Sequence, residues 1–330
     1  MFSVKPFESI FDLMRAFPDE QSCITHLEEI RWAGKPVSPF APEGPVYKCK
    51  DNRYKCKTTN KYFNVRTGTI FEGTKISLQH WFLAIYLFTS HKRGISSYQL
   101  ARDLKISQKS AWFMLSRLRY AVEHQNFLLE MEGAVQVDET FVGGKNKNRH
   151  GDKKVAQSQG RSFKDKTPVF GALNPNQYEE KVNEKTGEVK KYITVHSKVR
   201  CIVVPDTKGT TIKPIIGRFV KPGSTVISDE WKAYKGLSSA YDHRVVDHAR
   251  KEYVNEAGDT TNGMENFWSH LKRAIIGVYY KVSRKHLQGY VNEMSFRFNS
   301  REERTDNRFN LLLQGGNRGR FTYQMVVNEL

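Results

Sequence analysis

Three acidic residues stand where a carboxylate is either costly or useful. Asp138 lies in the middle of VQVDET, on the face opposite Val135 and Val137, where an unpaired carboxylate is expensive to bury. Asp229 directly follows the apolar run TVIS, at a strand end, where α/β sheets place functional groups. Glu265 stands near the start of the helical pattern TNGMENFWSHLKR. Oxygen ligands of this kind suit hard divalent cations such as Mg2+ or Mn2+. Two such ions held by three carboxylates, the central one bridging, clamp the attacking and leaving oxygens of an in-line displacement at phosphorus. Each acid also has an ordinary reading: Asp138 as a strand-edge charge, Asp229 as a helix N-cap for EWKAY, Glu265 as a first-turn acid favoured by the helix dipole.

The elements that must position them follow from periodicity. From Ala134, Val135, Val137 and Phe141 alternate with Gln136, Asp138 and Thr140, which predicts a strand with one apolar face, ended by Gly143-Gly144. The polar, basic stretch Lys145 to Lys166 predicts a loop. A second strand is expected in TPVFGAL, then a charged excursion (NQYEEKVNEKTGEVKKY), a third strand in VRCIVVP, partial helix in TTIKPIIGRF, strands in TVIS and HRVVD, and a helix from about Gly263 to Ile276. Strands and helices in this order make a mixed α/β domain, expected over residues 130–300.

Two modules precede it and a tail follows. Residues 1–74 hold a Pro/Gly-rich stretch and the basic, aromatic run YKCKDNRYKCKTTNKYFNVRTG, whose breaks at Asp51-Asn52 and Thr59-Asn60 predict two or three short strands. Over residues 75–127 the spacing is helical. Leu78, Trp81, Phe82, Ile85 and Phe88 share one face; GISSYQLARDL and QKSAWFMLSRLRYAV then form a helix pair with Ile95, Leu100, Leu104, Ala111, Leu115, Leu118 and Val122 inward and Ser107 as an N-cap. The pair matches a helix-turn-helix whose second helix shows Gln108, Lys109 and Arg117 to solvent or to a major groove, or else an ordinary helical hairpin. Residues 301–330 read as a polar C-terminal tail.

Charge nominates the partner. Lys and Arg number 53 against 35 Asp and Glu, for a net charge of +18, and such an excess favours a polyanion because neutralising phosphates releases condensed counterions. Lys272, Arg273, Lys281 and Arg284, interleaved with aromatic residues, are the candidates for gripping phosphate, while Trp268 reads as a core side chain. No run of eighteen uncharged apolar residues occurs, so no membrane partner is expected and a cytoplasmic location is. Cys23, Cys49, Cys56 and Cys201 are not spaced as a secreted disulfide framework and are expected to be free thiols.

Glu265 and Lys272 are seven positions apart, close to two helical turns and so nearly on one face. With Asp229 standing 36 positions before Glu265, this resembles the DDE transposase signature. The strings TGTIFEGTKISLQHWFLAIY, GISSYQLARDLKISQKSAWFML, VQVDETFVGGK, ISDEWKAY and TNGMENFWSHLKR are similar to the insertion-sequence 1595 (ISXO-type) family of bacterial transposases. The resemblance implies a ribonuclease-H-like catalytic domain behind a small β module and a helix-turn-helix. It further implies two Mg2+ or Mn2+ ions on Asp138, Asp229 and Glu265, with Lys272 near the scissile phosphate. The partners it implies are double-stranded DNA, as terminal inverted repeats and target, and further copies of the chain on that DNA, in the bacterial nucleoid. His248, between the second and third acids, is where the family often has a histidine, acting as a hydrogen-bond partner or a proton shuttle. The alternatives are a ribonuclease-H-like nuclease that never joins strands and a decayed copy that binds DNA without cutting it.

One departure concerns zinc. The family's N-terminal ribbon carries two Cys-x-x-Cys pairs; this chain has SPFAPEG where the first falls and CKTTN where the second falls, leaving Cys56 alone at a ligand position. Four Cys or His ligands are needed, so the module is a degenerate ribbon and no structural zinc is expected.

Overall fold

A computed structural model describes residues 6–127, 130–143, 150–156, 166–182, 188–246 and 260–328. The chain forms two compact units, residues 1–125 with 303–330, and residues 126–302.

The first unit opens with two helices that the sequence reading left unassigned. Helix α1 (Ile10–Ala16) starts on a capping box between Ser9 and Asp12, and α2 (Glu20–Trp32) on one between Asp19 and Ser22. Strands β1 (Val46–Lys48), β2 (Arg53–Cys56) and β3 (Tyr62–Asn64) form an antiparallel sheet in chain order. Asp51 and Asn52 both take positive φ, 60° and 54°, the demand of a two-residue type I′ hairpin, which short polar side chains tolerate. Trp32, Tyr54 and Phe63 pack their rings together, with centroids 5.2 to 6.0 Å apart.

Helix α3 (Leu78–Ser90) buries all five of the apolar residues whose spacing predicts it. Helices α4 (Ser97–Leu104) and α5 (Gln108–Phe127) follow, joined through Lys105 in the left-handed region, and their seven inward residues are buried as expected.

The second unit is built on a five-stranded sheet. Its strands are β4 (Ala134–Gly143), β5 (Lys166–Asn174), β8 (Lys198–Val203), β9 (Thr225–Asp229) and β10 (Asp242–Val246), β6 (Gln177–Val182) and β7 (Val189–Val195) forming a separate antiparallel pair. The order is β10-β9-β4-β5-β8: β4, β5 and β8 are antiparallel neighbours, while β9 runs parallel to β4 and β10 parallel to β9. Alternation along the strands gives the sheet two apolar faces. Val135, Val137, Phe170 and Ala172 pack with Ile212, Ile216 and Phe219 of α6 (Gly209–Phe219). Val169, Leu173, Val199 and Cys201 pack with Met264, Phe267, Trp268 and Leu271 of α7 (Asn262–Ala274) and Val291 of α8 (Leu287–Asn299). A short π-helical stretch, Ile275–Tyr279, extends α7.

Two expectations are revised, and two fall on residues that are largely not described. The charged excursion after β5 is not a plain connection: β6 and β7 pair within it and every residue of both is exposed. The polar stretch Lys145 to Lys166 lies largely outside the described residues, as does His248. Residues 301–330 are expected as a tail; the segment holds α9 (Thr305–Gly315) and α10 (Tyr323–Asn328), and from residue 303 on it belongs to the first unit. There Phe309 lies edge-on to Phe82 at 5.2 Å, and Asn310 meets His26 Nε2 at 2.8 Å. All four cysteines are free thiols. Among the described residues no helix is long and apolar enough to cross a membrane.

Candidate active site

The parallel pairing of β4 with β9 sets the register Ala134↔Thr225, Val135↔Val226, Gln136↔Ile227. Two residues beyond the last pair on each of these adjacent central strands stand Asp138 and Asp229. A step of two keeps a side chain on the same face, and that face is the one α7 covers. Gln136 Oε1 accepts from the backbone N–H of Met264 at 3.2 Å, fastening the first turn of α7 to β4. Glu265 is the next residue. One turn further on, the indole Nε1 of Trp268 donates to Asp138 Oδ2 at 2.9 Å.

Asp229 and Glu265 lie within electrostatic reach of Asp138. Burial pushes the Asp138 carboxyl up to about 6, and the charges of Asp229 and Glu265 push the same way; the Glu139 backbone N–H and the Trp268 indole oppose them. Asp229 Oδ1 accepts from the Trp231 backbone N–H at 3.0 Å, and Glu265 is exposed in the first turn of α7. Among the described residues no three Asp, Glu, His or Cys side chains are drawn tightly enough together to hold an ion as they stand.

Sequence reasoning missed three participants. Trp268 is core, as its spacing predicts, being 4% exposed, but its polar end also holds Asp138; the signal was its place three residues after Glu265, on the same helix face. Gly171 pairs directly with Asp138 across the β4-β5 ladder. A Cβ there would come within 2.7 Å of the Trp268 ring and closer still to Met264 Cε, so only glycine leaves room for the indole to reach Asp138. Gly171→Ala is expected to destabilise the protein by about 1–3 kcal/mol through overpacking and to change Trp268 fluorescence; a melting curve and emission spectrum matching the wild type would refute this. The third is Glu139, which faces the opposite side from Asp138 and accepts from the hydroxyl of the fully buried Tyr234 at 2.7 Å. Burial, with Glu139 next and then Asp138 and Asp229, holds the Tyr234 hydroxyl well above its usual value. Two successive acids in VDET place one carboxylate on each face of the strand.

Lys272 is exposed two turns beyond Glu265, within electrostatic reach of Asp138 and Lys166. Partial burial lowers its pKa from the usual value, against the attraction of Asp138. Arg273, Lys281 and Arg284 are exposed in the same unit. Lys109 is exposed on α5, and Gln108 is half-buried with its amide donating to Ser97 Oγ at 2.9 Å. Arg117 is a correction: it is 5% exposed, its guanidinium donates to the Ile70 carbonyl at 2.6 Å and lies over the Phe113 ring. It is a core residue of its unit and does not present itself to a groove.

The raised Asp138 pKa has a consequence for stability. The folded value, about 6, lies above the usual 3.8, so the contribution of Asp138 is fully present below the unfolded value and lost as pH rises through about 6. In chelator, Asp138→Asn is therefore expected to melt above the wild type at pH 8, with that advantage absent at pH 4. Parallel pH profiles for the two proteins would rule this out.

Comparisons with known proteins bear on the family of the chain. The profile of the ISXO2-like transposase domain matches residues 130–299, more than half of the chain. The chain is similar to a protein in transposable element ISH50 of Halobacterium salinarum, with 26% identity over 299 residues covering 86% of this chain and 92% of that protein. It is also similar to a transposase-like protein of Haemophilus influenzae, with 34% identity over 106 residues covering 32% of this chain and 84% of that protein. The crystal structure of a pre-cleavage Mos1 transpososome aligns over 69% of this chain and 75% of its own, at 11% identity and a TM-score of 0.18, too poor a superposition to bear on the fold. The matched profile spans β4 through α8 and so contains all three acids: the chain belongs to the insertion-sequence 1595, ISXO2-like, family of transposases.

Proposed function

We propose that this protein is a DDE transposase that cuts the ends of its insertion sequence and joins them to target DNA. One observation carries the reading: Asp138 and Asp229 stand on adjacent parallel strands, each two residues past the last pair of their ladder, with Glu265 on the helix that Gln136 and Trp268 fasten to β4. The antiparallel meander continued by two parallel strands supports the ribonuclease-H-like class for residues 130–300.

The donor set suits hard cations, being three carboxylates whose mutual repulsion a divalent ion relieves. Asp138, Asp229 and Glu265 are the residues that would hold Mg2+ or Mn2+, and an ion so held would supply stabilisation of the charge that develops in an in-line displacement at phosphorus.

The remaining work falls to the chain itself. Trp268 fixes the Asp138 rotamer. Lys272, two turns from Glu265, neutralises phosphate beside the reacting bond, and Arg273, Lys281 and Arg284 extend the cationic surface. Gln108 and Lys109 on α5 are the DNA-facing residues of the helix pair, read as a helix-turn-helix, with the net charge of +18 supplying affinity that falls with salt. Two element ends must meet in one complex, which calls for at least two copies of the chain on DNA. The site of action is the bacterial cytoplasm, on the nucleoid.

The test is strand transfer of a pre-cleaved element-end oligonucleotide in Mg2+ or Mn2+. Joined product that disappears with chelator is expected. Hydrolysis without joining would make the protein a nuclease, and DNA binding with no product in either metal would leave a DNA-binding remnant; both outcomes overturn the proposal.

A further inference from the structure

Where the β5-β8 ladder ends, at Asn174 opposite Lys198, the chain goes on as a second, two-stranded sheet that begins at Gln177 opposite Val195. Asn176 Oδ1 accepts from the Ser197 N–H at 2.7 Å and closes the joint between the two. Every residue of β6 and β7 is exposed, yet alternation divides them into two unlike faces. On one face Tyr178 stands opposite Ile193, Glu180 opposite Lys191 and Val182 opposite Val189. Glu180 and Lys191 form an ion pair at 3.0 Å, and the four apolar side chains around it are 42% to 61% exposed. The other face is polar: Lys181 pairs with Glu179 at 3.9 Å and holds its ammonium 5.8 Å from the centre of the Tyr192 ring, with Lys190 beside them. A two-stranded sheet is marginal by itself in water, and apolar side chains gathered on one of its faces mark a surface that another surface covers.

Charge selects what covers it. Glu179, Glu180 and Glu188 balance Lys181, Lys190 and Lys191, so this sheet is neutral in a chain of net charge +18. A neutral patch releases no counterions from phosphate, which argues against DNA as the occupant. It is also where two copies of a strongly cationic chain approach with least repulsion. The apolar face is complementary to itself. A two-fold axis parallel to the strands lays β6 of one copy on β7 of the other, so that Tyr178 meets Ile193, Glu180 meets Lys191 and Val182 meets Val189, each contact occurring twice. An axis across the strands would set Glu180 on Glu180 and Lys191 on Lys191, and like charges exclude it.

We propose that the β6-β7 sheet joins two copies of the chain, apolar face to apolar face, about a two-fold axis parallel to its strands. Strands of six and seven residues give a face about 20 Å long. That is small for a specific interface, so free chains associate weakly, with a Kd on the order of 10 μM. DNA that gathers two copies strengthens the contact by raising their effective concentration. That copies must pair at all rests on the transposase reading; the surface that pairs them is tested with neither DNA nor turnover, so either can fail alone.

The experiment is analytical ultracentrifugation of the full-length protein without DNA, across concentrations on either side of that Kd. The wild type is expected to shift from monomer to dimer. Glu180→Lys and Lys191→Glu are each expected to weaken association at least tenfold, because each copy then presents like charges to the other. An equimolar mixture of the two should regain dimer, since the two faces are again opposite in charge, and a sheet that had failed to form could not regain it. Ile193→Asp, which keeps the ion pair, should also be monomeric, while Tyr192→Ser on the polar face should dimerise as the wild type does. A wild type that stays monomeric throughout would overturn the proposal. So would dimers unaffected by Ile193→Asp, or a mixture of the charge variants that remains monomeric. Loss of DNA affinity in Ile193→Asp with unchanged association would assign the face to DNA instead.

Discussion

Replacing Asp138, Asp229 or Glu265 by its amide is expected to reduce strand transfer on the order of 10³-fold or more, with DNA binding equal to the wild type or tighter. Metal-borne stabilisation of the developing charge is worth several kcal/mol, and each increment of about 1.4 kcal/mol is a factor of ten in rate. An amide preserves shape but cannot balance a divalent charge. Binding is spared because removing a carboxylate from a cationic surface lessens repulsion with phosphate. Asp138→Asn is the cleanest of the three, since relief of the buried carboxylate is expected to raise its stability at neutral pH, so lost activity cannot be blamed on unfolding. Gel assays of joining and binding on the same preparations decide it: joining within tenfold of the wild type for all three variants would remove these residues from the chemistry.

The second large effect lies behind the site. Glu293 and Arg297, one turn apart on α8, form an ion pair at 2.6 Å with side chains only 0% and 6% exposed. The Tyr279 hydroxyl also donates to Glu293 Oε1, at 2.7 Å. Tyr279 ends the π-helical stretch that prolongs α7, so this pair anchors the far end of the helix that carries Glu265 and Lys272. Arg297→Met removes one partner of a buried ion pair, and a loss of about 3–5 kcal/mol is expected. Glu293→Gln should cost a similar amount from the other side. The double variant Glu293→Leu, Arg297→Met should recover much of the loss, because burying two charges is itself expensive. Denaturant midpoints of the three variants measure this; single variants within 1 kcal/mol of the wild type would show the pair to be dispensable.

The second unit was legible where burial enforces a period. Val135 and Val137 mark one face of β4, and Asp138 is exceptional because it sits on the other face of a strand covered on both sides. The sequence reading found α3 to α5 for the same reason. Where burial does not enforce alternation, as in β6 and β7, charged residues occupy both faces and the pairing left no pattern. Arg117 was misread because α5 is buried over more of its circumference than one stripe, and a long side chain can lie along the core with its head on a carbonyl. Phe309, Leu312 and Leu313 do recur at helical spacing within the segment taken as a tail, and the polar composition around them masked it. The Trp268 contact with Asp138 could not be read locally, because it depends on Gly171, a residue on a third element that matters for lacking a side chain.

The most direct test of the central claim, that Asp138, Asp229 and Glu265 form one divalent-cation site, needs neither DNA nor turnover. Fe2+ substituted for Mg2+ generates hydroxyl radicals in ascorbate and peroxide that cut the backbone beside the bound ion. The account predicts cuts clustered near residues 138, 229 and 265, suppressed by excess Mg2+ and absent in Asp138→Asn. Cuts elsewhere, or the same cuts in that variant, would contradict it.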